Sequence, residues 1–133
     1  MICVTHTQPL ILAATGRHDR LGKRASRIFQ DVDEGKEKLV VPVAVLEEIL
    51  FLCEKKAVRL SIPFPRWVEE MERSPNFQLQ PHTPDILLQA QGLAAVQHPR
   101  DRIIVATARH LGYPLITADE TLRELGLVET VWE

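Results

Sequence analysis

The stretch HPRDRIIVATARHLGYPLITADETL, residues 98–122, is the most informative part of this chain. Apolar residues recur three, four and seven positions after Asp101, which predicts an amphipathic helix over 101–111 that ends at a glycine. A short apolar strand follows over 115–117, and Asp119 comes just after it. A carboxylate at a helix start and another at the end of a parallel strand can converge on one metal ion. The stretch therefore indicates a hydrolytic metal site.

The rest of the chain alternates short apolar runs with helical patterns. Strands are predicted over 2–4, 39–43, 77–80 and 130–132. Helices are predicted over 9–14, 23–32, 44–56, 65–73, 84–95 and 120–125. This alternation predicts parallel pairing in a layered α/β domain, in which ligands bind at the carboxyl ends of the strands.

Composition favours one globular domain spanning residues 1–133. The chain is 45% hydrophobic and 26% charged, and its formal net charge is −2, which gives no global attraction to nucleic acid. There is no glycine-rich phosphate loop. The two cysteines, Cys3 and Cys53, lack CxxC spacing and lie among apolar residues, so we expect buried, reduced thiols of a cytoplasmic protein. Neither a leader peptide nor a membrane span is expected.

The two aspartates also have a purely structural interpretation. Aspartate is favoured at and near helix N-termini, so Asp101 and Asp119 could each cap a helix, while Glu120 is expected to face solvent. Against this, Asp101 heads a face that should be buried, where an unpaired charge is costly.

A third acidic position lies in the helix over 44–56. That helix is apolar almost all round, which predicts that it is nearly buried. Glu47 and Glu48 therefore cannot both lie on a solvated face, although periodicity does not choose between them. Carboxylates with few nitrogen or sulfur donors nearby suit Mg²⁺ or Mn²⁺ rather than Zn²⁺.

With these residues in place, the sequence resembles PIN-domain proteins, in particular the VapC-type toxins of bacterial toxin–antitoxin pairs. The most specific parts are VPVAVLEEILFLCEKKAVRL, residues 41–60, and DRIIVATARHLGYPLITADETL, residues 101–122. The resemblance implies a three-layer α/β/α sandwich with a central, mostly parallel sheet and Mg²⁺- or Mn²⁺-dependent cleavage of RNA. It also implies a homodimer and an antitoxin protein as partner.

The resemblance assigns three of the family's four acidic ligands. Glu48, Asp101 and Asp119 match them, and Thr117 is expected to shape the site through its hydroxyl. The fourth is missing, because the family's first strand ends in Asp-Thr-His and the triplet at 4–6 here is Val-Thr-His. Either three carboxylates hold a metal more weakly, with help from Thr5 or His6 through water, or the domain retains only binding.

Basic residues suggest where RNA could lie. The candidates for phosphate contacts are Arg17, Arg20, Lys23, Arg24 and Arg102. The first four could equally form a solvated helix face, and Arg102 could pair with Asp101. The sequence shows no aromatic interleaving for base stacking.

Three functions follow from these patterns. The first is a metal-dependent ribonuclease of the toxin type, and the second is a PIN-like binding module that does not cleave RNA. A receiver-like phosphoacceptor domain is third, but it needs a lysine after the last strand, where the sequence has Trp132 and Glu133.

Overall fold

The computed structural model describes all 133 residues and contains one five-stranded sheet. The strands are β1 (Cys3–Thr5), β2 (Leu39–Pro42), β3 (Phe77–Gln80), β4 (Leu115–Ile116) and β5 (Thr130–Val131). Their order is β3-β2-β1-β4-β5, and every pair is parallel. The predicted parallel sheet is confirmed.

Seven helices complete a three-layer α/β/α sandwich. They are α1 (Thr7–Ala14), α2 (Lys23–Asp33), α3 (Val43–Glu54), α4 (Phe64–Arg73), α5 (Pro84–Gln91), α6 (Pro99–Leu111) and α7 (Glu120–Leu125). A single 3₁₀ turn, His18–Arg20, lies between α1 and α2 and has no counterpart in the sequence prediction. No helix is both long and apolar enough to cross a membrane.

The central strands are buried because helices cover both faces of the sheet. All of β1 and β2 is buried, as their uninterrupted apolar sequences require in a parallel sheet. The predicted stripe of α2 is confirmed, since Ala25, Ile28, Phe29 and Val32 are its buried residues.

Two predicted features of the helices are wrong in detail. Helix α5 ends at Gln91 rather than near residue 95, because the chain turns after Gly92 and directs Leu93 and Val96 into the core. Helix α3 is buried on one face only, and Phe51 on its other side is 47% exposed. Its ring lies under the guanidinium of Arg100, with 5.7 Å from the ring centroid to Cζ.

The two free thiols differ in burial, which gives a chemical prediction. Cys3 is fully buried, and burial raises its pKa to about 11, whereas Cys53 is only half-buried, contrary to the sequence-based expectation. At pH 8 the Cys3 thiolate fraction is then on the order of one in a thousand. We expect iodoacetamide to modify Cys53 in the native protein and Cys3 only after unfolding. Rapid native-state labelling of a Cys53→Ser variant would contradict this assignment.

Candidate active site

Residues from β1, α6 and β4 meet directly at the carboxyl edge of the sheet. His6 follows β1, and its backbone N–H donates to the Ile116 carbonyl at 3.0 Å, which places its ring beside the end of β4. Nε2 of His6 donates to Oδ1 of Asp101 at 2.8 Å, and Nδ1 shares a 2.9 Å hydrogen bond with Oγ1 of Thr117. Imidazole, carboxylate and hydroxyl therefore form one connected group, in which Thr117 takes part through its hydroxyl.

Asp119 joins this group through its backbone and caps α7 with its side chain. Its N–H donates to Oγ1 of Thr117 at 3.1 Å. Its Oδ1 accepts from the N–H of Leu122 at 2.9 Å, so the capping role considered for Asp119 is confirmed. Glu120 is exposed, as predicted.

Asp101 does not cap its own helix. It is the third residue of α6, and the N-cap is His98, whose Nδ1 accepts from the Asp101 N–H at 3.4 Å. Asp101 is therefore not the N-cap, although it lies in the first turn, where the helix dipole favours a carboxylate. Its carboxylate faces His6, with 20% of the side chain exposed.

The choice between the two glutamates of α3 is settled by exposure and by one hydrogen bond. Glu47 is exposed, while Glu48 is half-buried, and its Oε1 accepts from the hydroxyl of Thr7 at 2.7 Å. Thr7 begins α1, directly after His6. Sequence reasoning missed Thr7, whose only signal is its position next to the end of the first strand.

Val4 and Thr5 of β1 lie away from the contact between His6 and Asp101. Val4 is fully buried in the middle of β1, between Val40 and Leu115 of the neighbouring strands. Thr5 is also fully buried, and its hydroxyl donates to the carbonyl of His6. Comparison of the triplet with the family placed the missing ligand at residue 4. The residue that reaches Asp101 is His6, which follows β1 directly.

Among the basic residues, Arg100 lies beside the candidate site, and its charge acts on Asp101. It lines a surface groove together with Glu48, Phe51 and Lys55. Arg102 donates from Nε to the Val96 carbonyl at 2.8 Å and forms no ion pair with Asp101, so the ion-pair alternative is wrong. Arg17, Arg20, Lys23 and Arg24 are exposed and unpaired.

Competing effects set the ionisation of Asp101. Burial raises the pKa of its carboxyl, but the hydrogen bond and charge of His6, with the charges of His98 and Arg100, outweigh burial and hold the pKa below its usual range. Folding therefore favours the ionised form. This contribution to stability is fully present above the unfolded-state pKa, about 3.9, and is lost as pH falls through the lower folded-state value.

The stability difference between the native chain and an Asp101→Asn variant should consequently depend on pH. We expect the urea midpoint of the native chain to approach that of the variant as pH falls from about 5 to about 2. Tryptophan fluorescence reports the unfolding of both proteins. A gap that stays constant over this range would show that the ionised carboxylate does not stabilise the fold.

The divalent ion implied by the resemblance does not fit these side chains as they are arranged. No group of three or more His, Cys, Asp or Glu side chains is placed to hold a metal ion. Each carboxylate also accepts a hydrogen bond from the protein itself: Asp101 from His6, Glu48 from Thr7, and Asp119 from the Leu122 N–H. One oxygen of each carboxylate is therefore already engaged within the protein.

Comparisons with known proteins agree with this architecture. Residues 10–127 match the PIN domain. The chain is 30% identical over 106 residues to Ribonuclease VapC22 of Mycobacterium tuberculosis, and the match covers 78% of this chain and 77% of that protein.

Two solved structures share the fold at low sequence identity. One is VapBC2 from Rickettsia felis bound to a promoter DNA fragment, with a TM-score of 0.71, 12% identity and 100% of both chains covered. The other is a toxin–antitoxin complex from Klebsiella pneumoniae, with a TM-score of 0.69, 17% identity, and 97% of this chain and 95% of that chain covered. The domain match and the VapC22 similarity show that the chain is a VapC-like member of the PIN-domain family.

Proposed function

We propose that the chain is an endoribonuclease of the VapC toxin type, which hydrolyses RNA phosphodiester bonds at the edge formed by His6, Glu48, Asp101 and Asp119. The observation that carries the proposal is the direct contact of His6, Asp101 and Thr117, which come from three separate elements. Distant parts of the sequence thus bring polar groups together where parallel sheets bind ligands. The similarity to a protein named as a ribonuclease supports the same chemistry.

The proposed reaction requires Mg²⁺ or Mn²⁺, as the resemblance implies. Because the native arrangement offers no ready group of three ligands, activity should be low until the carboxylates are released from their present donors. The same observation favours a second candidate function, a PIN-like module that binds RNA or protein without cleaving it.

RNA and an antitoxin protein are the proposed partners. Arg100 lies in the groove beside Glu48, where it can contact a phosphate, and the exposed Arg17, Arg20, Lys23 and Arg24 supply further positive charge. The similarity to a toxin–antitoxin complex supports control by an antitoxin. We further propose a homodimer that acts in the cytoplasm.

Asp119 allows catalysis to be tested apart from stability. Asparagine is as good an N-cap as aspartate, so Asp119→Asn should keep α7 capped while removing the carboxylate. We expect this variant to keep its melting temperature and lose RNA cleavage in Mn²⁺. Asp119→Ala should lose cleavage and also about 1 kcal/mol of stability. If Asp119→Asn cleaves RNA as fast as the native chain, the proposed site is wrong.

A further inference from the structure

Only the position directly after β1 brings a side chain from this part of the chain to Asp101. Val4 lies two residues earlier and is fully buried between two neighbouring strands. A carboxylate there would enter the hydrophobic core without a partner, which is costly. His6, by contrast, has 13% of its side chain exposed and touches Asp101 directly.

Both ring nitrogens of His6 are hydrogen-bonded within the protein. Nε2 is hydrogen-bonded to Asp101 and Nδ1 to Thr117, and Thr117 is itself held by the backbone N–H of Asp119. The ring therefore presents no free nitrogen to an incoming ion. It also gives the Asp101 carboxylate the favourable partner that a cation would otherwise provide.

We propose that residue 6 determines whether this edge of the sheet binds Mg²⁺, and that the native imidazole keeps the ion out by bonding to Asp101. The inference rests on the proposed function, because it concerns the same site. Mg²⁺ requires oxygen ligands in nearly octahedral geometry, and an imidazole nitrogen already engaged with the protein is a poor substitute.

A carboxylate at residue 6 would favour the binding of Mg²⁺ instead of excluding the ion. Aspartate is shorter than histidine, so His6→Asp opens a gap between its own carboxylate and that of Asp101. Two such carboxylates repel each other unless a cation lies between them. A divalent cation held by the two carboxylates would relieve this repulsion.

The test is a calorimetric titration of Mg²⁺ into the full native chain, His6→Asp and Val4→Asp, with melting temperatures measured in EDTA and in millimolar Mg²⁺. We expect His6→Asp to bind Mg²⁺ at least about tenfold more tightly than the native chain and to melt higher when the ion is present. Val4→Asp is the matched control, since it adds the same charge two residues earlier. It should gain no affinity and melt at a lower temperature.

Three outcomes overturn the inference: native binding as tight as that of His6→Asp, a folded His6→Asp variant without improved binding, or a larger gain in Val4→Asp. If His6→Asp does not fold, His6→Asn supplies an oxygen ligand on a side chain the size of aspartate, without the added charge. It should bind Mg²⁺ severalfold more tightly than the native chain, and no gain again overturns the inference.

RNA cleavage by the same proteins separates this inference from the proposed function. If His6→Asp binds Mg²⁺ tightly and leaves RNA intact, the inference stands and the proposed function fails. If the native chain cleaves RNA through Asp101 while His6→Asp gains no affinity, the proposed function stands and the inference fails.

Discussion

An Asp101→Asn variant is expected to cleave RNA at least about 100-fold more slowly than the native chain, a loss of roughly 3 kcal/mol of transition-state stabilisation. Asp101 is the carboxylate in direct contact with His6, and it lies at the carboxyl edge of the sheet with part of its side chain open to solvent. Asparagine retains an oxygen that accepts from Nε2 of His6, so the fold should persist. The variant should therefore be folded at neutral pH, although less stable than the native chain, and the loss of activity should exceed anything that unfolding could cause.

Single-turnover cleavage of one RNA oligonucleotide in Mn²⁺ measures this effect. Asp33→Asn is a matched control, because it removes the same charge from the exposed end of α2. That control should cleave at the native rate. Equal rates for Asp101→Asn and Asp33→Asn would place the cleavage chemistry somewhere else on the molecule.

A large effect on stability is expected from Gly22→Ala. A Cβ at Gly22 would clash with the carbonyl oxygen of Trp132 and lie 2.6 Å from its carbonyl carbon, far inside normal contact distance. Backbone atoms cannot rotate away as a side-chain end can. The same carbonyl accepts from the Ala25 N–H, which ties the residue after β5 to the start of α2.

We expect Gly22→Ala to lower the free energy of unfolding by about 2–3 kcal/mol through overpacking and loss of this hydrogen bond. Gly92→Ala is the matched control, since its nearest contact, the Gln89 carbonyl oxygen, is 3.9 Å away and its backbone is not left-handed. That variant should be neutral or slightly more stable. Similar urea midpoints for the two variants would contradict the tight packing at Gly22.

The fold could be predicted because its signals are local. Parallel strands buried on both faces have short, continuous apolar sequences, and helices between them show a stripe such as the one on α2. Boundaries were harder to predict at β1, where the observed strand begins and ends one residue later than expected, at Cys3 and Thr5. In a strand, a shift of one residue changes which side chain stands at the end and which lies in the core.

The side chain that contacts Asp101 lies two residues beyond Val4. Comparison of Val-Thr-His with the family triplet placed the missing ligand at residue 4, but the hydrogen bonds of the neighbouring strands place residue 6 beside Asp101. The contact between Thr7 and Glu48 joins residues 41 positions apart, so no local pattern could reveal it. Asp101, Thr117 and Asp119 could be proposed from the sequence because each lies at or next to the end of a predicted helix or strand.

The central claim is that Glu48, Asp101 and Asp119 serve one phosphodiester-cleaving site. Its most direct test is the cleavage rate of a single RNA oligonucleotide in Mn²⁺ by the native chain and by the triple variant Glu48→Gln, Asp101→Asn and Asp119→Asn, purified identically. We predict slow but measurable cleavage by the native chain. The triple variant should cleave the RNA no faster than it breaks down in buffer without protein. Equal rates for the two proteins would contradict the claim.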